Sequence, residues 1–187
     1  MKRILIVFSF VILLAIPSHA YKGRDENYAF IQSALGGQYY VRSIPEEKIG
    51  IKGTTKVYEV RNDSDELIDA YNFYMKGDVF LGWSPKAGKF ALVHIEKDRV
   101  TEENWLQAIG KISQITFYLG GQKLKSYTKD DLIFLGVLKE ESRLNLDIKI
   151  KGIEQILGTN DYVFSIEKSD QSAISFDITT GALFTNK

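Results

Sequence analysis

Ile115-Thr116-Phe117-Tyr118-Leu119-Gly120-Gly121-Gln122-Lys123-Leu124-Lys125-Ser126-Tyr127 decides how the rest of this chain is read. Two β-prone runs flank a Gly-Gly pair. A two-residue turn with positive φ at both positions favours glycine, so the stretch predicts a tight hairpin. The same grammar recurs on both sides of it. Gln38 to Ile44 predicts a strand that Pro45 stops, and Thr54 to Arg61 with Leu67 to Tyr74 predicts a hairpin around the polar turn Asn62-Asp63-Ser64-Asp65. Val79 to Gly82 and Phe90 to Glu96 form a further pair across Ser84-Pro85-Lys86-Ala87-Gly88. Tyr162 to Glu167 and Ala173 to Ile178 close the series, with Thr180-Gly181 as the last turn. Ten Tyr and eleven Phe, with many Val, Ile and Thr, suit a pleated surface.

Helix is the minority. Thr101 to Ile112 places Thr101 to cap, Glu102 and Glu103 in the first turn, and Trp105, Ile109 and Ile112 on one face, although Gly110 weakens it. A second short helix is expected to start at Thr128-Lys129-Asp130-Asp131. Asn27 to Leu35 reads two ways: a helix ending at Gly36-Gly37, or a strand pairing Tyr28 and Phe30 with Tyr40 and Arg42. The strand is favoured. The expectation is a mainly β fold, an antiparallel meander or hairpin sheet forming a small sandwich or partial barrel, with one or two short helices. Glycine-containing turns at 32–40, 82–90 and 118–124 resemble those of propeller repeats. Blades of about 40–45 residues fit fewer than four times, which argues against a complete propeller.

The first twenty residues carry a different signal. Lys2 and Arg3 precede the apolar run Ile4 to Ile16, broken only by Ser9, and Ser18 and Ala20 supply small residues before a cut after Ala20. That is the three-part pattern of a cleavable signal peptide. The run spans 13 residues, short of the roughly 20 that cross a bilayer core. A mature single domain of residues 21–187 is expected, periplasmic or extracellular, with no membrane span. Cysteine is absent, which excludes disulfides and a lipid-modified residue after the cut, where Tyr21 stands. Of 24 basic and 24 acidic residues, cleavage removes Lys2 and Arg3, leaving a net charge of −2. The charges are interspersed and carry no nucleic-acid footprint.

One resemblance rests on Gly37-Gln38-Tyr39-Tyr40-Val41-Arg42-Ser43-Ile44-Pro45, Gly53-Thr54-Thr55-Lys56-Val57-Tyr58, Ala70-Tyr71-Asn72-Phe73-Tyr74, Phe117 to Tyr127, and Phe176-Asp177-Ile178-Thr179-Thr180-Gly181. The chain resembles a set of exported, β-rich bacterial proteins with no established function. The resemblance implies export and β structure and carries over no catalytic residue.

Candidate chemistry is sparse. His94 is the one histidine left after cleavage, so a triad would need Ser84 or Ser113 to meet it, and neither lies in a nucleophile-elbow pattern. Asp69, Glu96 and Asp98 fall near strand ends, where a hydrolase pair would need a separation of roughly 5–10 Å. Asn62 to Glu66 offers oxygen ligands of the kind calcium takes, but it lacks the spacing and central glycine of a calcium loop. Its residues also suit a turn. No cofactor or metal is called for. The doublets Tyr39-Tyr40, Phe73-Tyr74 and Phe117-Tyr118 say more, because neighbours in a strand point to opposite faces. Either both faces are covered or some rings face solvent. Tyr40, Tyr74, Trp83 and Tyr118 are the candidate binding residues for a glycan or an envelope protein. An envelope-polymer hydrolase, and an accessory or inhibitor protein pairing through an edge strand, are the alternatives.

Overall fold

Strands form where β-branched and aromatic residues cluster between turn residues, and they pair with their sequence neighbours. A computed structural model describes residues 26–97, 112–138, 148–168 and 171–185. The fold is mainly β, as the sequence predicts, in three antiparallel meander sheets, none closed into a barrel. The first sheet is β1 (Phe30–Ala34), β2 (Tyr39–Pro45), β3 (Gly53–Glu59) and β4 (Glu66–Tyr71). The second is β5 (Asp78–Ser84), β6 (Lys89–Lys97), β7 (Ile112–Leu119) and β8 (Gln122–Thr128). The third is β9 (Ile148–Gln155), β10 (Tyr162–Lys168) and β11 (Ala173–Asp177).

The Gly-Gly hairpin is built as expected: Gly120 and Gly121 have φ of +52° and +79° between β7 and β8. Helix α1 (Lys129–Phe134) begins at Thr128, whose hydroxyl accepts from the Asp131 N–H while the Asp131 carboxylate accepts from the Thr128 N–H. The Thr128 hydroxyl also donates to the Asp131 carboxylate at 2.7 Å, and this bond, with that from the Thr128 N–H, holds the Asp131 carboxyl below its ordinary range. The expected helix at Thr101 to Ile112 lies outside the described residues, apart from Ile112, which opens β7.

Three expectations are corrected. Phe30 faces Ser43 and Ser33 faces Tyr40, because a single 3-10 turn at Leu35–Gly37 sets the register, and Tyr28 lies before the strand. Phe73 and Tyr74 fall in the connection after β4 rather than in it. Strand β9, which the turn signals did not mark, supplies the first strand of the third sheet.

The middle sheet is covered on both faces. In β6, Ala91, Val93 and Ile95 turn to the third sheet, while Leu92 turns to the first. Every residue from Ala91 to Ile95 is buried in consequence. A strand buried on both faces reads as a near-continuous apolar run, which is how Phe90-Ala91-Leu92-Val93-His94-Ile95 reads apart from His94. Phe117 and Tyr118 likewise split, Phe117 toward Phe164 and Phe176 and Tyr118 toward Tyr71 and Phe73. Of the two readings of the doublets, two covered faces holds here.

The first sheet is locked to the second by polar groups as well as apolar ones. Ser43 and Thr55 sit opposite each other, fully buried, with hydroxyls 2.7 Å apart. Both accept from the Met75 N–H, and Thr55 donates to the Phe73 carbonyl. The Gln32 side chain of β1 takes both groups of Val79 on the edge of β5: its carbonyl accepts from the Val79 N–H at 3.2 Å and its amide donates to the Val79 C=O at 2.5 Å. At Val79 the edge therefore offers no free backbone groups to an added strand. Gln32→Leu keeps the volume and removes both bonds. It is expected to lower stability by about 1–3 kcal/mol in denaturant titration, the cost of stranding a buried donor and acceptor.

Candidate binding site

The seam between the first two sheets is the candidate site. Its middle is closed by Val41 and Val57 against Leu81 and Leu92. It opens at both ends, which Phe90 and Glu96 mark six residues apart on β6, about 20 Å at the usual strand rise.

At one end the walls are aromatic. Trp83, at the end of β5, lies edge-on to Phe90 with centroids 4.9 Å apart, and Phe90 packs on Tyr39 at 4.8 Å. Trp83 remains 41% exposed. Leu35, Gln38, Glu59 and Ile68 complete this shallow opening. Glu59 accepts from Arg61 at 2.8 Å, and Arg61 also pairs with Glu66, so its guanidinium pKa is raised and it stays charged.

At the other end lies a deeper cleft of about 450 Å³. Cross-strand partners share a face, so His94 with Thr116, Glu96 with Gln114, and Tyr118 with Lys123 all look toward the first sheet. Gln114 donates to Thr116 at 2.7 Å, and the Thr116 and Ser126 hydroxyls bond at 2.9 Å. Opposite them, Phe73, Tyr74, Ile51 and Gly50 form the far wall. Asn27 ties the lip by donating to the carbonyls of Glu47 and Gly50. No buried side-chain nitrogen or oxygen among the described residues lacks a partner, so this end is pre-organised.

Burial sets the protonation states here. It pushes the Tyr118 phenol up to about 12, so the ring keeps its proton at neutral pH. It also lowers the His94 pKa, although Lys76 C=O, 2.8 Å from Nε2, and the Glu96 and Asp78 carboxylates pull the other way. The native state therefore binds the imidazole proton less readily than the unfolded chain, whose ordinary value is 6.5. His94 costs no stability above that value, and stability falls as pH drops through 6.5 toward the lower native pKa. Denaturant midpoints are expected to fall between about pH 7.5 and 5.5 in the native sequence, and to fall less in His94→Gln. Asp131 and Glu167, both lowered by hydrogen-bond partners, act at lower pH, in the carboxylate range.

The four predicted residues do not form one platform. Tyr74 and Tyr118 share the deep cleft, and both are mostly buried; Tyr74 donates to the Tyr28 carbonyl at 3.0 Å. Trp83 belongs to the aromatic end. Tyr40 is on the outer face of the first sheet, stacked on Tyr58 at 5.0 Å and donating to Asp65. Tyr39 and Phe90 were not singled out from sequence as binding residues, although the Tyr39-Tyr40 doublet held the clue: one ring had to face inward. The polar cleft also left a trace, since His94, Glu96, Gln114 and Thr116 take alternate positions in otherwise apolar strands.

Other candidates are placed by their bonds. Ser84 looks to the opposite face from His94, where its hydroxyl meets Thr179 at 2.8 Å, so the two build no triad. Ser113 donates to the Glu96 carbonyl. In the acidic turn, Asp65 accepts from Tyr40 and Glu66 pairs with Arg61. Asp69 accepts from the Tyr71 hydroxyl at 3.3 Å and is raised by its burial; Asp98 lies outside the described residues. Among the described residues, Glu96 in the cleft and Glu59 at the aromatic end are the carboxylates that line the two openings. No family model, curated protein or solved structure matches this chain.

Proposed function

We propose that this is an exported binding protein that holds a glycan at the aromatic end of the seam. The half-exposed Trp83, braced by Phe90 and Tyr39, carries the reading. An indole held edge-on to Phe90, which is itself packed on Tyr39, presents apolar surface to the C–H face of a sugar at little entropic cost. Gln38 and Glu59 at the rim supply a donor and acceptors for hydroxyls. The signal-peptide pattern of residues 1–20 supports export. Among the described residues each opening is lined by one carboxylate, whereas a hydrolase sets two across a cleft.

The test is titration of residues 21–187 with soluble cell-wall and plant-type oligosaccharides, followed by tryptophan fluorescence and calorimetry. A saccharide that binds the native sequence is expected to lose about 2 kcal/mol in Trp83→Ala, on the order of 30-fold in Kd. Thermal stability should change little, because the ring lies at the end of the sheet. Binding that survives Trp83→Ala and Tyr39→Ala intact would place the glycan elsewhere.

A further inference from the structure

The deep cleft is a second site, at the other end of the seam and independent of the aromatic reading. Among the described residues, three ammonium groups border it, from Lys76, Lys97 and Lys123, along with the carboxylate of Glu96. Lys97 is held 2.9 Å from Asp78. Lys123 is exposed and makes no ion pair among the described residues. It shares its face with Tyr118, its partner across the β7–β8 ladder, and so stands over the aromatic part of the cleft.

We infer that this cleft binds a small ring compound bearing one acidic group, carboxylate or phosphate. The ring lies against Phe73 and Tyr118, whose own rings come from opposite sides of the cleft and pack on each other with centroids 5.6 Å apart. The acid meets the Lys123 ammonium at the rim, on the exposed edge strand β8. Gln114 and Thr116, fixed by their bonds to each other and to Ser126, supply polar contacts on the floor. The volume of about 450 Å³ suits a single sugar or aromatic unit. Glu96 opposes a bound anion, so the acid's affinity is set by the balance between Lys123 and Glu96.

The experiment compares matched probes on the full mature chain by calorimetry: glucuronate against glucose, benzoate against benzyl alcohol, and inorganic phosphate alone. At least one acid is expected to bind, and its neutral counterpart to bind at least tenfold more weakly. Phosphate binding without either ring acid would show that charge alone suffices and would overturn the ring requirement. Lys123→Glu, an exposed change on an edge strand, is expected to weaken the acid at least tenfold with the thermal midpoint unchanged. Glu96→Gln is expected to tighten it severalfold. Trp83→Ala should leave the acid's Kd as it was, which separates this site from the aromatic one. Failure of all acids to bind, or equal binding of acid and neutral partner, overturns the inference.

Discussion

Phe117→Ala is expected to lower stability by about 3–5 kcal/mol, the largest single loss in the molecule. Phe117 is fully buried on the face of the middle sheet that meets the third. Its ring packs on Phe176 at 5.4 Å, Phe164 at 6.0 Å and Tyr127 at 6.1 Å. Those residues come from three strands and two sheets, so no single side chain can relax into the space. The void would persist, and its walls would lose dispersion contacts as well as the transfer energy of the ring. For a chain of this size each kcal/mol moves the midpoint by roughly 2–4 °C, so calorimetry should record a fall on the order of 10 °C. Phe134, on the short helix, is 90% exposed, and Phe134→Ala is expected to stay within about 0.5 kcal/mol. A fall under 1 kcal/mol for Phe117→Ala would mean that the second and third sheets do not pack as described.

Gly77→Ala comes next, at roughly 3 kcal/mol. Gly77 leads into β5 with φ of +122°, a conformation in which a side chain is strained. An added methyl would also run into the backbone carbonyl of Ile95, which β6 holds in the ladder opposite Asp78. Backbone in a ladder has nowhere to move without breaking pairs, so strain and clash add. Gly88 separates the two effects. Its φ is +60°, but a methyl there meets nothing within 4 Å. Gly88→Ala is therefore expected to cost about 1 kcal/mol, the left-handed penalty alone. Urea titration of both variants gives by difference the clash together with the extra backbone strain at φ +122°, and equal losses would show that neither acts at Gly77.

Much of this architecture was legible because short-range signals decide it. Turn residues at 62–65, 85–88 and 120–121 punctuate the strands, and each joins partners that are neighbours in sequence. β9 was harder to see: Ile148-Lys149-Ile150-Lys151-Gly152-Ile153-Glu154-Gln155 alternates like a surface strand, and its pairing with β10 carries a bulge. The number of sheets was out of reach as well. Nothing local in Met75-Lys76-Gly77 distinguishes a hairpin from a step to a new layer; the step is specified by Ser43 and Thr55, thirty-two and twenty residues back, which bind the Met75 N–H. The candidate site fared worse for the same reason. Aromatic content pointed to tyrosines and a tryptophan, but which rings meet depends on how sheets face one another. Trp83 thus gains Phe90 and Tyr39, while Tyr40 is left on the far side.

The sandwiched position of the middle sheet bears on how the chain acquires its structure. Each sheet closes through contacts between consecutive strands, so loops to be closed are short and the early steps are fast. A lone second sheet, though, would show apolar faces on both sides. It would be the most aggregation-prone species along the route until a neighbour docks. Once folded, the order inverts: backbone amides of β6 and β7 should exchange with solvent only through global opening, while β1 and β11 exchange by local fraying. The segment most hazardous before folding becomes the last to let water in.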